Sequence, residues 1–155
     1  MKVGKIDGVG IKKLVLHCDN RGFLTEVLRN DEDILSKFGQ FTFSLAHPGV
    51  IKAFHCHEVQ TDHWFFVSGN AEVVLYDARK KSPTHRVKQV IYAGENNRVL
   101  ISIPPGVWHG YRVLGNTPAL LCYITTEAYD CSNPDEKTVP FDDVRVNHLW
   151  ITEPR

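Results

Sequence analysis

The fold is decided by the stretch Gly49-Val-Ile-Lys-Ala-Phe-His55-Cys-His57-Glu-Val-Gln-Thr-Asp62-His-Trp-Phe-Phe-Val-Ser-Gly69, which is followed by a second motif, Pro104-Pro-Gly106-Val-Trp-His109. His55 and His57 are two residues apart in an apolar, β-rich run, so on a strand both imidazoles lie on the same face. A tight connection after His57 can bring Asp62 back on a neighbouring strand. Three imidazoles and a carboxylate that converge inside a small β-barrel would form an open site for a divalent cation.

A His-x-His pair alone is more simply explained as two half-buried histidines, because two histidines cannot complete a metal coordination shell. Asp62 and His109 each lie beside a glycine-bearing turn, and their presence favours a metal site instead. The predicted ligands are His55, His57, Asp62 and His109. Mixed nitrogen and oxygen ligands suit Zn, Fe, Mn, Co or Ni, and no organic cofactor is expected.

Length and composition are those of an ordinary globular protein. The 155 residues can build one core and predict one domain, spanning residues 1–155. Eighteen basic and eighteen acidic side chains balance, which argues against nucleic acid or an anionic membrane as a partner. There is no signal peptide or long apolar run, and the four cysteines form no Cys-x-x-Cys pair. We therefore expect a soluble cytoplasmic protein with free, buried thiols.

Short β runs alternate with turns along most of the chain. The predicted strands lie near 11–17, 23–28, 40–46, 50–57, 62–67, 71–76, 86–92, 98–103, 110–113 and 119–125. The run Asn30-Asp31-Glu32-Asp33 in front of an apolar segment predicts one short N-terminal helix, with an N-cap and acids at its start. The segment 144–151 is predicted to be a closing or subunit-bridging strand. Evenly spaced strands with almost no helix favour an all-β jelly roll or barrel.

The two histidine motifs resemble the two conserved motifs of the cupin superfamily. The first matches in spacing from Gly49 to Gly69, with Asp62 where a glutamate is usual, and the second matches at Pro104, Gly106 and His109. The resemblance implies a double-stranded β-helix, the cupin form of the jelly roll. It does not by itself define the function, because one fold can carry many chemistries.

The flanking segments narrow the resemblance to one family. Asp19-Asn-Arg21-Gly22-Phe-Leu-Thr-Glu26, Phe38-Gly-Gln40, Lys52-Ala-Phe-His55 and the pair Tyr123 and Tyr129 resemble, in the same order, segments of the dTDP-4-dehydrorhamnose 3,5-epimerase family. Together these matches cover roughly residues 14 to 150. The resemblance implies an epimerase that acts on C3, C5 or both carbons of a nucleotide-linked 4-keto-6-deoxy sugar.

Site roles follow from the same resemblance. It implies that His55 is the catalytic base and that Tyr129 is the acid on the opposite side of the sugar. The residues implied to bind the nucleotide-sugar substrate are Arg21, Glu26, Gln40, Lys52, His109 and Tyr123. The family also implies a homodimer, in which the N-terminal strand and the C-terminal tail cross between subunits.

Three departures from the family pattern concern the catalytic centre. The family has a polar residue such as glutamine in place of His57, a lysine that stabilises the oxyanion in place of Asp62, and a C-terminal Ser-x-Lys-Asp segment that this chain lacks. One hypothesis is that a divalent metal replaces the charge of the lysine. A metal-bound His55 could not be the free base, so Tyr129 or His63 would take that role.

Two further functions stay open at this point. One is a metal-dependent cupin of another class, such as a dioxygenase or a lyase that acts on a small keto acid. The other is a sugar-binding cupin that has lost catalysis. The polar residues Arg21, Gln40 and Lys52 favour the nucleotide-sugar epimerase, because a small keto acid would not need diphosphate contacts.

Overall fold

The computed structural model describes residues 5–152, and these form strands joined by turns. The strands are β1 Gly10–Lys13, β2 His17–Asp19, β3 Gly22–Leu24, β4 Gln40–Ala46, β5 Ile51–Cys56, β6 Asp62–Ser68, β7 Asn70–Asp77, β8 Lys88–Gly94, β9 Val99–Ile103, β10 Val107–Leu114, β11 Ala119–Thr125 and β12 Lys137–Thr138.

Two five-stranded antiparallel sheets form the body of the protein. One has the strand order β1-β9-β6-β11-β4 and the other the order β12-β5-β10-β7-β8, while β2 and β3 form a separate hairpin. Apolar side chains from both sheets meet in one cluster, which includes Trp64 and Phe66 from the first sheet and Val73 and Leu75 from the second. This arrangement is the predicted jelly roll, with its core between the sheets.

Strand β6 lies in the centre of the first sheet and is buried on both faces. Its inner face packs into the main core, whereas Phe65 on its outer face packs with Leu14, Leu100 and Ile34. The chain between β3 and β4 therefore covers the outside of this sheet. A strand covered on both sides is expected to be a nearly continuous apolar run, as the sequence Trp64-Phe-Phe-Val67 is.

The predicted N-terminal helix is not formed. Residues 30–35 instead make two tight turns, with hydrogen bonds from the Glu32 amide to the Arg29 carbonyl (3.4 Å) and from the Leu35 amide to the Glu32 carbonyl (3.0 Å). The apolar segment is too short to gain from helix propagation. Tertiary contacts dominate here, because Ile34 packs under the sheet and Glu32 pairs with Lys12 at 2.6 Å.

The predicted strand at 144–151 is also absent. The Asn147 amide donates to the Asp143 carbonyl in a turn, and the Arg112 guanidinium donates to the Trp150 carbonyl at 2.8 Å. The segment is held by side chains rather than by a strand ladder, and the Trp150 ring packs 5.5 Å from the Phe54 ring. The edge of the second sheet beside β5 is occupied by the short strand β12.

The cysteines are unpaired, as predicted, but they are not all buried. Cys56 is buried and Cys122 is half-buried, whereas Cys18 and Cys131 are exposed. Within residues 5–152 there is no helix of the length and apolarity needed to cross a membrane.

Asp77, at the end of β7, is a fully buried carboxylate that is fully hydrogen-bonded. It accepts bonds from the amide and guanidinium of Arg79 (2.8–3.0 Å) and from the hydroxyls of Ser82 and Thr84 (both 2.6 Å). Burial works to raise the pKa of Asp77, but these donors outweigh it and hold the pKa below the usual value. The carboxylate thus fixes the turn that joins β7 to the following loop.

We expect Asp77→Ala to lower the free energy of unfolding by about 3 kcal/mol, because it leaves buried donors without a partner. Since the folded state lowers the Asp77 pKa, this contribution is present above about pH 4 and is lost as the pH falls through the folded pKa. Urea unfolding between pH 2 and 7 measures both effects, because the contribution begins to fall at about pH 4. Asp19→Ala is the matched control. The Asp19 carboxylate also accepts a hydrogen bond from the amide of an arginine two residues later, Arg21, but it is exposed. An equal loss in the two variants would contradict the prediction.

Candidate active site

Pairing of β5 with β10 places two of the predicted site histidines side by side. His109 lies directly opposite His55 in the ladder, and their ring centroids are 4.1 Å apart. Gly110 permits this approach, because a Cβ at that position would lie 2.3 Å from the Ala53 Cβ. Gly106, with φ +78°, makes the turn that begins β10. The Pro-x-Gly motif therefore positions His109 through backbone geometry.

Asp62 reaches the same place from the opposite sheet. It begins β6 and is almost fully buried, and one of its carboxylate oxygens lies 3.5 Å from His109 Nε2. The other oxygen lies 3.8 Å from His57 Nε2. One potential ligand atom from each of His55, His57, Asp62 and His109 falls within 4.8 Å of the others. The four predicted ligands are therefore brought together between the two sheets.

Backbone carbonyls fix the orientation of two of the histidines. Nδ1 of His109 lies 2.8 Å from the Val107 carbonyl, and Nδ1 of His57 bonds the Asp135 carbonyl. A carbonyl only accepts hydrogen bonds, so each Nδ1 carries a proton. In the neutral imidazole, each Nε2 then presents a lone pair towards Asp62.

Polar groups surround the Asp62 carboxylate. It accepts hydrogen bonds from the Gln60 side-chain amide at 2.6 Å and from the Trp64 indole at 3.0 Å. Burial works to raise the pKa of Asp62, but its hydrogen-bonding neighbours hold it well below its usual value. Asp62 is therefore a carboxylate at neutral pH, buried at the inner end of the site.

His55 has a different environment from His57 and His109. Burial, with the nearby His109, lowers the pKa of His55, so its imidazole is neutral at neutral pH. Among residues 5–152, no carboxylate oxygen lies within 4.0 Å of the His55 ring nitrogens. The base position implied by the family resemblance thus lacks a carboxylate partner in the described part of the chain.

A cavity of about 790 Å³ opens in front of these residues. His55, His57 and Asp62 line its inner end, and residues 127–130, 133, 135, 136, 138 and 139 contribute to its outer wall. Of the residues predicted to bind substrate, Gln40, Lys52 and Tyr123 line the cavity, and so does the predicted acid Tyr129. The volume is within the range of sites that hold a sizeable ligand.

Three predicted substrate residues do not line this cavity. His109 is almost fully buried and lies in the histidine cluster rather than on the cavity wall. Arg21 and Glu26 lie in the N-terminal hairpin region, where Arg21 pairs with Asp19 and Glu26 with Arg29 on the surface. Within one chain, neither side chain reaches the site.

His63 is buried on the opposite face of β6 and does not line the cavity. It is therefore not placed to act as an alternative base. The alternation of side chains along a strand, which directs Asp62 and Trp64 inwards, directs His63 outwards.

Sequence reasoning missed Gln60 and Asp135. The Asp135 carboxylate accepts hydrogen bonds from the backbone amides of Glu58, Val59 and Gln60 (2.8–2.9 Å), while its carbonyl orients His57. This residue therefore fixes the loop between β5 and β6. It lies in an irregular segment, where no periodic pattern marks a position as functional. The run Asn133-Pro-Asp135 signals only a turn.

Comparison with known proteins agrees with this fold. The family model of dTDP-4-dehydrorhamnose 3,5-epimerase matches residues 4–155. The spore coat polysaccharide biosynthesis protein SpsL of Bacillus subtilis is 53% identical over 148 residues, which cover 96% of this chain and 98% of that protein.

Two solved structures show the same architecture. A dTDP sugar isomerase from Desulfovibrio desulfuricans superimposes with a TM-score of 0.87 at 31% identity, covering 94% of this chain and 92% of that one. A dTDP-6-deoxy-D-glucose-3,5-epimerase from Legionella pneumophila, solved in complex with dTDP-4-keto-L-rhamnose, gives 0.84 at 25% identity, covering 95% and 80%. These matches confirm the resemblance found in the sequence motifs. The chain belongs to the dTDP-4-dehydrorhamnose 3,5-epimerase family, a family of sugar-nucleotide epimerases.

Proposed function

We propose that this protein inverts C3, C5 or both carbons of a nucleotide-linked 4-keto-6-deoxy sugar. The observation that carries the proposal is that His55 and Tyr129, the implied base and acid, both line one large cavity. The Legionella relative was solved with a dTDP-linked 4-keto sugar, which supports the same substrate class here. The cavity volume of about 790 Å³ also favours a nucleotide sugar over a small keto acid.

The chemistry requires one base, one acid and stabilisation of negative charge. The 4-keto group acidifies the adjacent C–H bonds, so the neutral His55 imidazole can take a proton from C3 or C5. The electron pair of the C–H bond moves into an enolate, whose charge rests on the C4 oxygen. Tyr129 then donates its phenolic proton to the same carbon from the other face. Exchange with solvent returns both side chains to their starting protonation states.

Lys52 and Gln40 are placed to hold the substrate. The Lys52 ammonium donates to the Ser44 hydroxyl at 2.7 Å at the cavity wall, and the Gln40 side chain accepts a bond from the Tyr129 amide at 2.9 Å. Lys52 is the sole Lys or Arg among the lining residues in the described part of the chain. The diphosphate carries more negative charge than one ammonium can balance, so further cations are needed.

A homodimer would supply these cations. Strand β4 is an edge strand of its sheet among residues 5–152, and its side chains Phe41, Phe43 and Leu45 are exposed. The β2–β3 hairpin exposes Phe23 and Leu24. An apolar edge strand and an apolar hairpin of this kind suit each other across a two-fold axis. We propose that the hairpin of one protomer packs against β4 of its partner. Arg21 and Glu26 would then lie at the mouth of the partner's cavity.

The unpaired cysteines support the expectation of a cytoplasmic protein. Exposed free thiols such as Cys18 and Cys131 suit a reducing compartment better than an oxidising one.

Tyr129→Phe should separate proton removal from inversion. In deuterated water with dTDP-4-keto-6-deoxyglucose, His55 can still take the proton, so deuterium should enter C3 or C5. Inversion should fall by about two to four orders of magnitude, because the positioned proton donor is absent. Mass spectrometry measures deuterium and NMR measures the epimer formed.

Tyr92→Phe is the matched control, because Tyr92 is an exposed tyrosine on β8 away from the cavity. Unchanged inversion in Tyr129→Phe would exclude Tyr129 as the acid. If folded parent protein exchanged no deuterium into any nucleotide-linked keto sugar, the non-catalytic or other-class cupin functions would be favoured.

Phe43→Glu should disrupt the proposed dimer. The side chain is 70% exposed in one chain, so the change costs little within a protomer but buries a charge at the proposed interface. Light scattering coupled to size exclusion should give a dimer mass for the parent and a monomer mass for the variant. Tyr92→Glu, an equally drastic change at an exposed aromatic residue elsewhere, should stay dimeric. A monomeric parent at micromolar concentration would exclude this assembly.

A further inference from the structure

We propose that His57, Asp62 and His109 bind one divalent metal ion, and that His55 beside them stays unbound. This differs from a four-ligand site, because it leaves His55 available as a base. The three ligands would come from the residue that follows β5, the first residue of β6 and the first half of β10. Both sheets of the jelly roll therefore meet at the ion.

The rings of His57 and His109 are oriented as those of metal ligands are. Carbonyls hold Nδ1 of His57 and His109 in the protonated state, so both Nε2 lone pairs face the Asp62 carboxylate. Metal-binding histidines typically have this second hydrogen bond, which fixes the tautomer and the direction of the ring. The His55 side chain makes no such bond with any other described residue. Two histidines are thus prepared as ligands and the third is not.

One buried nitrogen of the cluster lacks a hydrogen-bond partner among the described residues. Nε2 of His109 is fully buried and has no hydrogen-bond partner in the described structure. Its lone pair faces an Asp62 oxygen at 3.5 Å, and two electron-rich atoms at that distance repel each other unless something positive lies between them. Either a proton or a metal cation can fill this role, and the experiment below distinguishes the two.

The separations between the proposed ligand atoms also suit a metal ion. In a site with metal–ligand bonds of about 2.1 Å, adjacent ligand atoms lie roughly 3 to 4 Å apart. The separations from Asp62 oxygens to Nε2 of His109 and of His57 are 3.5 and 3.8 Å. Small side-chain rotations can therefore complete the coordination, and the cavity supplies the open positions.

The Gln60 side chain lies beside the place proposed for the cation. Its amide nitrogen lies 2.6 Å from Asp62 and 3.3 Å from His57 Nε2, so its two N–H groups point to two of the proposed ligand atoms. Gln60 thus supplies partial positive charge where the cation would bind, and it must turn away when the cation enters. Removal of this side chain should leave metal affinity unchanged or raise it.

Two nitrogens and one carboxylate oxygen with open positions suit Fe(II), Mn, Co, Ni or Zn. Asp62 occupies the position where the family resemblance implies a lysine, so the ion would restore positive charge near the ketone oxygen. This role of the ion rests on the proposed epimerase function, whereas the binding of the ion does not.

The test uses full-length protein that has been stripped with a chelator and then titrated with Co(II). The parent should bind about one equivalent, seen by calorimetry and by visible absorption of the Co(II) complex. His57→Ala and Asp62→Asn should each weaken binding by at least about a hundredfold, because loss of a ligand exceeds loss of an outer-shell contact. His55→Asn should bind within about threefold of the parent, and Gln60→Ala at least as tightly.

His47→Ala is the control for incidental binding, because His47 is an exposed histidine outside the cluster. Circular dichroism and melting curves establish that each variant is folded. Absence of Co(II) binding by the folded parent would overturn the proposal and leave a proton as the positive group. Equal loss in His55→Asn and His57→Ala would overturn the three-ligand assignment. No substrate is present in this test, so its failure is distinct from failure of the epimerase assay.

Discussion

The buried carboxylate of Asp62 constrains the site more than any other group. A negative charge between two packed sheets must be compensated, because transfer of an unpaired ion to the protein interior is costly. Part of that compensation comes from the Trp64 indole and the Gln60 amide, and the rest requires a proton or a cation beside the His109 imidazole. Since these groups come from both sheets, the requirement to compensate one charge also fixes how the sheets face each other at this end of the barrel.

The sign of the charge at this position has chemical consequences. Enolate formation needs positive charge close to the ketone oxygen, and a carboxylate in place of the family's lysine supplies the opposite. The nearest lysine on the cavity wall is Lys52, whose ammonium bonds Ser44. The local electrostatics therefore require a positive group at the histidine cluster if the family chemistry is retained. Compensation by a bound cation agrees with the histidine orientations, and it leaves His55 free to move a proton.

The parts of the fold that were predictable from sequence are those with a local physical cause. Alternation of side chains and flanking turns located β4, β5, β6 and β11 to within a residue or two, and the His-x-His spacing located the cluster. The helix expected near residue 34 failed, because packing of Ile34 under the sheet outweighed local helix signals. Asp135 could not be found, since its role depends on contacts with residues far away in sequence. Arg21 and Glu26 show a further limit, because both pair with neighbours on the surface of one chain and these contacts assign them no role in the site.

The segment from residue 126 to 139 connects the two halves of the proposed chemistry. Tyr129 belongs to this segment and is attached to the barrel through the bond from its amide to Gln40. Asp135 belongs to it as well, and it holds both the β5–β6 loop and the His57 ring. This segment can approach the barrel closely because Gly39 has no side chain. A Cβ on Gly39 would lie 2.4 Å from the Glu127 backbone. A shift of this segment would therefore move Tyr129, the proposed acid, and the ring of His57, a proposed metal ligand, together.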